Sequence, residues 1–171
     1  MPYDLPDDHR ILRAADEAEG YFLLELLDDS MDSLSTIEKS GKAPGFAALM
    51  RARIHQARGE QGPAALAFEE ARERLPDSIE PRIGLGWSYK RLGRLPDAIR
   101  VLAEGRRRFP REALFAYNLA CYLALAERAP EALGELAAAI GMKASYRELA
   151  RHDDDFAPIR DREEFRRLVE E

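Results

Sequence analysis

The stretch of sequence that decides the fold runs from Pro81 to Pro110 and reads PRIGLGWSYKRLGRLPDAIRVLAEGRRRFP. Pro81 suits the first turn of a helix, where its missing N–H would have no partner in any case. Gly93 favours a helix end, because glycine readily adopts the left-handed conformation found there. Pro96 can open a second helix, and Pro110 would stop it. The stretch therefore predicts two helices joined by a tight turn.

The same pattern recurs along the chain at intervals of 34 residues. Small residues keep this interval at Ala52, Gly86 and Ala120, and again at Ala64, Ala98 and Ala132. Bulky residues keep it at Phe68, Leu102 and Leu136, and helix breakers at Gly59 and Gly93 and at Pro76 and Pro110. Because small residues let helix backbones approach closely, the pattern predicts a packed helix pair that is repeated.

Composition and charge are typical of an amphipathic helical domain. Apolar residues make up 46% and charged residues 34% of the 171-residue chain. The net charge of −6 is unevenly spread, since residues 1–44 carry −7 and residues 79–112 carry +5. Such a distribution can steer a partner, but it specifies no reaction.

Cysteine content and the chain start bear on the cellular compartment. The single cysteine, Cys121, cannot form an intrachain disulfide, which indicates a reducing compartment. The N-terminal residues MPYD lack the basic and apolar regions of a signal peptide. No stretch approaches the roughly 20 apolar residues that a membrane span requires. We therefore expect a cytoplasmic protein with no membrane partner.

One repeat resembles the tetratricopeptide-repeat signature. The matching positions are Leu85, Gly86, Tyr89, Gly93, Ala98 and Pro110, and Arg82 replaces the leading tryptophan. The resemblance covers the chain from about residue 14 onward. It implies an all-α fold, namely a right-handed superhelical solenoid of antiparallel helix pairs with a C-terminal capping helix. It is specific for the fold and says little about function.

The predicted organisation is four repeats between two terminal segments. The boundaries are 1–13 for an N-terminal extension, 14–44 for a degenerate repeat, 45–78, 79–112 and 113–146 for three regular repeats, and 147–171 for a capping segment. The degenerate repeat is placed 31 residues before its neighbour, with its turn at Asp28-Asp29-Ser30. In the capping segment, Asp161 and Glu164 resemble a helix start. That helix would cover the apolar edge of the last repeat.

In proteins of this family, the first helices of successive repeats line a concave groove that binds ligands. The resemblance therefore implies a scaffold that binds a peptide or helix of a partner protein and catalyses nothing. The positions carried over to the groove are Phe22, Glu25, Leu49, Met50, Arg53, Gln56, Ile83, Trp87, Lys90, Arg91, Tyr117, Asn118 and Cys121. Their mixture of aromatic, arginine and polar side chains is typical of binding hot spots. Alternatively, some of these residues pack against adjacent first helices.

Trp87 has two interpretations. As a core residue it would pack between first helices, and as an anchor it would hold an apolar side chain of the partner. Lys90 and Arg91 lie one turn further along the same predicted helix and would keep that face hydrated. The sequence alone leaves both interpretations open.

Other binding functions find less support. Tetratricopeptide domains that grip acidic chaperone tails use a clamp of lysine, asparagine and arginine, and only Asn118 matches one of its positions. The run Arg106-Arg107-Arg108 suggests nucleic acid, but basic residues concentrate in one repeat and the net charge is negative. A continuous basic footprint would be expected of an RNA-binding repeat protein. Self-association, through the convex face or the N-terminal repeat, is the main alternative.

Catalytic and metal-binding patterns are weak. The three histidines fall in separate segments without ligand spacing. The run from His152 to Asp155 is best interpreted as a solvated loop, because consecutive acidic residues point in different directions. Gly84-Leu85-Gly86 lies inside a predicted helix, where it serves packing and not phosphate binding. We expect no enzyme activity, no cofactor and no metal site.

Overall fold

The computed structural model describes residues 3–170, which form ten α-helices and one 3-10 helix. The helices are α1 (His9–Leu23), α2 (Leu27–Ser40), α3 (Pro44–Ala57), α4 (Gln61–Arg74), α5 (Glu80–Arg91), α6 (Leu95–Arg108), α7 (Ala113–Leu125), α8 (Ala129–Met142), α9 (Ser145–His152), the 3-10 helix (Asp154–Ile159) and α10 (Glu163–Glu170). The predicted all-α class is confirmed. Residues 1, 2 and 171, which end the predicted terminal segments, lie outside the described residues. Among the helices described, none is long and apolar enough to cross a membrane.

The 34-residue interval extends over four helix pairs. The first helices of the pairs end at Leu23, Ala57, Arg91 and Leu125. The second helices begin at Leu27, Gln61, Leu95 and Ala129. The N-terminal pair therefore keeps the interval of the other three, and its placement 31 residues from its neighbour was wrong. The predicted turn at Asp28-Asp29-Ser30 lies inside α2.

Two residues of the N-terminal pair depart from the repeat pattern, which made the pair hard to recognise in the sequence. Glu25 takes the turn position that Gly59 fills in the next pair, and both have a positive φ, of 60° and 77°. Ser30 takes the small-residue position of Ala64 and is fully buried, and its Oγ donates to the carbonyl of Ala18 at 2.8 Å. The backbone thus follows the repeat although the expected glycine and alanine are absent.

The stretch expected to form an extension belongs to the folded unit. α1 begins at His9 because the Asp8 carboxylate accepts hydrogen bonds from the N–H groups of Arg10 and Ile11. The Asp4 carboxylate does the same for α3, accepting from the N–H groups of Gly45 and Phe46 at 2.8 and 2.9 Å. The described part of residues 1–13 therefore caps two helices.

The chain divides into two compact units between Leu92 and Gly93. In the first unit each helix from α1 to α5 packs against the next. Close approach is required at Gly84, where an added Cβ would lie 2.3 Å from the Phe68 ring. In the second unit, α7 packs against α6, α8 and the 3-10 helix. Gly105 allows the closest approach there, since an added Cβ would lie 2.2 Å from the Phe115 ring.

The C-terminal segment forms the expected capping helix, α10, and adds α9 and the 3-10 helix before it. α9 begins at Ser145, before the predicted boundary at residue 147, and the 3-10 helix separates it from α10. Phe156 and Phe165 are buried with their ring centroids 5.4 Å apart. α10 begins 34 residues after α8, but its side chains do not repeat the small and bulky pattern. The cap therefore keeps the helix spacing without the repeat sequence.

Candidate protein-binding surface

Arg53 connects the first helices of three successive repeats in the first unit. Its guanidinium carbon lies 4.5 Å from the ring centroid of Phe22 on α1. Its nitrogen atoms lie 3.8 Å from a carboxylate oxygen of Glu19 on α1 and 3.6 Å from one of Glu80 on α5. These separations are too long for hydrogen bonds, so the ion pairs are weak individually. Together they link side chains of α1, α3 and α5 on this face.

Three residues of this surface were missed in the sequence. Glu19 and Glu80 pair with Arg53, and the Tyr3 hydroxyl donates to Glu80 at 3.4 Å. Burial and the nearby Glu80 carboxylate raise the pKa of Tyr3. The 34-residue interval would have found Glu19, because it aligns Glu19 with Arg53. Glu25, which was predicted to face the groove, lies in the turn after α1.

Trp87 is the most exposed aromatic feature of this surface. Its side chain is 38% exposed, and the guanidinium of the exposed Arg91 lies 5.7 Å from its ring. This geometry is a cation–π contact on the outside of α5. Of the other predicted residues in this unit, Gln56, Ile83 and Lys90 are half-buried. The structure thus leaves an aromatic and arginine pair open to solvent.

Leu49 and Met50 occupy a different environment. Both side chains are buried in the core around α3. The Met50 sulfur lies 3.4 Å from a guanidinium nitrogen of Arg53, beneath the surface. Neither residue offers a side chain to a partner in this structure.

The predicted residues on α7 belong to the second unit, and the capping segment covers two of them. Tyr117 and Cys121 are buried. The Tyr117 ring stacks on Tyr146, with centroids 4.4 Å apart, and its hydroxyl donates to Asp153 at 2.8 Å. The half-buried Asn118 donates its side-chain N–H to the carbonyl of Leu114 at 2.8 Å. In this unit the predicted residues mainly hold the cap.

Asp153 organises the loop that the sequence indicated as solvated. Its carboxylate accepts from the N–H of Asp155 at 3.0 Å, from Tyr117 and, at 3.6 Å, from the Cys121 thiol. Burial, followed by the neighbouring Cys121 and Asp153, raises the pKa of Tyr117. Potential metal-ligand atoms of Cys121, Asp153 and Asp155 lie within 4.8 Å of one another. The hydrogen bonds of Asp153 give this cluster a structural role in positioning the cap.

The fold has relatives among solved structures, although no family model and no curated protein matches the chain. One is YrrB, described as a TPR protein with an unusual peptide-binding site, with a TM-score of 0.65 and 21% identity over 74% of this chain. The match spans 66% of YrrB, slightly less than two thirds of its length. MamA of AMB-1 has a TM-score of 0.70 and 16% identity, covering 96% of this chain and 88% of MamA. The chain therefore has the tetratricopeptide-repeat fold that its 34-residue interval indicates.

Proposed function

We propose that this chain is a scaffold that binds a peptide or helix of another protein on the first-helix faces of α1, α3 and α5. The observation that carries the proposal is the exposed Trp87–Arg91 pair on α5. Tryptophan and arginine are the residue types most enriched among binding hot spots. The similarity to YrrB, a TPR protein with a peptide-binding site, supports the same role for this chain.

The chemistry of the pair indicates the kind of segment it would bind. The face of Trp87 can cover an apolar side chain of the partner. Within residues 3–170, no carboxylate forms an ion pair with Arg91. A carboxylate of the partner could therefore pair with Arg91 while an apolar neighbour packs on Trp87. A segment with adjacent acidic and apolar residues fits this arrangement best.

Arg53 has a supporting part in this proposal. Glu19 and Glu80 already balance its charge, so it is less suited than Arg91 to pair with a partner's carboxylate. By linking side chains of α1, α3 and α5, it favours one arrangement of their faces before a partner arrives. A preformed surface loses less conformational freedom on binding, which favours affinity.

The test uses the only tryptophan of the chain as a reporter. Peptides selected from a random display library on the wild-type protein should change the fluorescence of Trp87 when they bind. Trp87→Ala with Arg91→Ala should weaken their binding at least about tenfold, as expected when two hot-spot side chains are removed. Because this variant lacks the tryptophan reporter, the affinities of all variants are compared by fluorescence polarisation of a labelled peptide.

The control removes one exposed apolar side chain and one exposed arginine from α4, the second helix of its pair. Leu66 and Arg74 on α4 are exposed, and their double alanine variant should bind the peptides as the wild type does. Circular dichroism should show equal helicity for all three proteins. If the selected peptides bind the Trp87–Arg91 variant unchanged, the partner surface lies elsewhere.

A further inference from the structure

The turn between α1 and α2 exposes three leucines. Leu23, Leu24 and Leu26 are 76%, 69% and 45% exposed, and Glu25 lies among them. Tyr21, also partly exposed, precedes them on α1. We call Leu23, Leu24 and Leu26 the leucine turn. A contiguous exposed apolar patch on a soluble protein commonly marks an interaction site.

The fold itself does not require these leucines. The equivalent positions of the next pair are Ala57, Arg58 and Glu60, and those of the third pair are Arg91, Leu92 and Arg94. Backbone hydrogen bonds already hold the turn, from the N–H of Leu24 to Gly20 at 3.2 Å and from that of Leu26 to Tyr21 at 2.9 Å. The same turn thus forms elsewhere in the chain with mostly polar or small side chains. The turn therefore does not need leucine at these positions.

The charges around the leucine turn are negative. Glu25 and Asp29 are exposed, and neither pairs with a cation among residues 3–170. Asp28 is exposed as well and pairs with Arg58. The acidic surroundings agree with the charge of −7 over residues 1–44. An occupant of this patch must therefore combine an apolar face with positive charge.

We propose that the leucine turn docks a basic amphipathic helix of another protein. Apolar side chains of that helix would cover Leu23, Leu24 and Leu26, while its lysines or arginines face Glu25 and Asp29. This site does not include Trp87 or Arg91, so the proposal can be tested independently of the function proposed above. Recognition of an amphipathic helix through its apolar stripe is a common mode of protein binding.

Charge disfavours two other occupants. A second copy that docked through the same turn would bring Glu25 and Asp29 against their own counterparts, and like charges across an interface oppose association. An anionic lipid surface would be repelled by the same carboxylates, since such surfaces attract basic segments. A basic amphipathic helix would cover the leucine side chains and pair with the carboxylates.

The experiment compares two synthetic helical peptides that share a leucine face, one with a lysine and one with a glutamate polar face. The leucine–lysine peptide should bind the wild-type protein, and the leucine–glutamate peptide should not. Leu23→Ser with Leu24→Ser should weaken binding at least about tenfold. Glu25→Gln with Asp29→Asn should also weaken it and should reduce its dependence on salt.

The matched control is Leu66→Ser, which removes a leucine that is 70% exposed on α4 and should leave binding unchanged. Failure of the leucine–lysine peptide to bind overturns the proposal. So does equal binding to the wild type and the Leu23–Leu24 variant, which would show general attraction to an acidic chain. A dimer that the same variant dissociates, or sedimentation with anionic vesicles, would assign the turn to a second copy or to lipid instead.

Discussion

At the scale of single residues, one turn position shows how the repeat constrains the backbone. Gly59 and Gly93 have φ of 77° and 73°, and Glu127 takes the same position with φ of 57°. A left-handed conformation strains a residue that has a Cβ, whereas glycine adopts it freely. We therefore expect Glu127→Gly to raise the free energy of unfolding by about 0.5–1 kcal/mol, less than the strain itself because glycine also loosens the unfolded chain.

Urea denaturation measures this effect, and Gly93→Glu provides the reciprocal variant. Nothing lies within 4 Å of a Cβ added at Gly93, so the conformation alone should lower its stability. A destabilised Glu127→Gly protein would contradict the argument.

At two buried serines we expect the same substitution to change the stability of the protein in opposite directions. Ser30 and Ser88 are both fully buried. The Ser30 hydroxyl donates to Ala18, whereas the Ser88 hydroxyl has no hydrogen-bond partner among the described residues. We expect Ser88→Ala to stabilise the protein by about 1 kcal/mol, because it removes a buried hydroxyl without a hydrogen-bond partner. Ser30→Ala should destabilise it by about 1 kcal/mol, because it removes an existing hydrogen bond. Thermal denaturation of the two variants measures the difference, and a loss of stability in both would count against it.

At the scale of helices, close packing decides what a glycine contributes. A Cβ at Gly105 on α6 would lie 2.2 Å from the buried Phe115 ring, whereas one at Gly134 on α8 meets nothing within 4 Å. Alanine is the better helix former by about 1 kcal/mol. Gly134→Ala should gain most of that amount, while Gly105→Ala should lose about 1–2 kcal/mol net because overpacking exceeds the gain. Equal stabilisation of both variants in urea would show that Phe115 moves aside at little cost.

The helix pairs also show how far the sequence could be interpreted. Breakers such as Gly59 and Gly93 predicted the pairs because glycine and proline act locally on the backbone. The N-terminal pair was misplaced because Glu25 and Ser30 adopt the repeat geometry without the expected residues. Side-chain direction was harder to predict: Leu49 is buried although its register placed it in the groove, because burial depends on the neighbouring helices. Helical spacing alone was enough to propose that Trp87 and Arg91 lie close together. It could not predict that both side chains are exposed.

At the scale of the whole molecule, buried and partly buried tyrosines couple stability to alkaline pH. Burial is the largest cause of a raised pKa at Tyr3 in the first unit and at Tyr117, Tyr122 and Tyr146 in the second. Nearby acidic groups add to it, such as Glu80 at Tyr3 and Asp153 at Tyr117. A raised pKa means that the folded protein favours the neutral phenol. This contribution to stability is complete below the unfolded pKa of 10.0 and is lost as the pH rises through the folded pKa.

The free energy of unfolding should therefore fall above pH 10.0, because the unfolded chain releases phenolic protons that the folded chain retains. A tyrosine that stays neutral in the folded chain and ionises in the unfolded chain adds a slope of at most about 1.4 kcal/mol per pH unit. Tyr117→Phe should reduce that slope by one proton, and at neutral pH it should cost about 1 kcal/mol because the hydrogen bond to Asp153 is lost. Urea denaturation at several values from about pH 8 to about pH 11 separates the two effects. Tyr122→Phe serves as the second variant, since its slope should also fall. If the alkaline slope of the Tyr117→Phe protein equals that of the wild type, its phenol ionises equally well in the folded and the unfolded chain, and the cap does not hold it neutral.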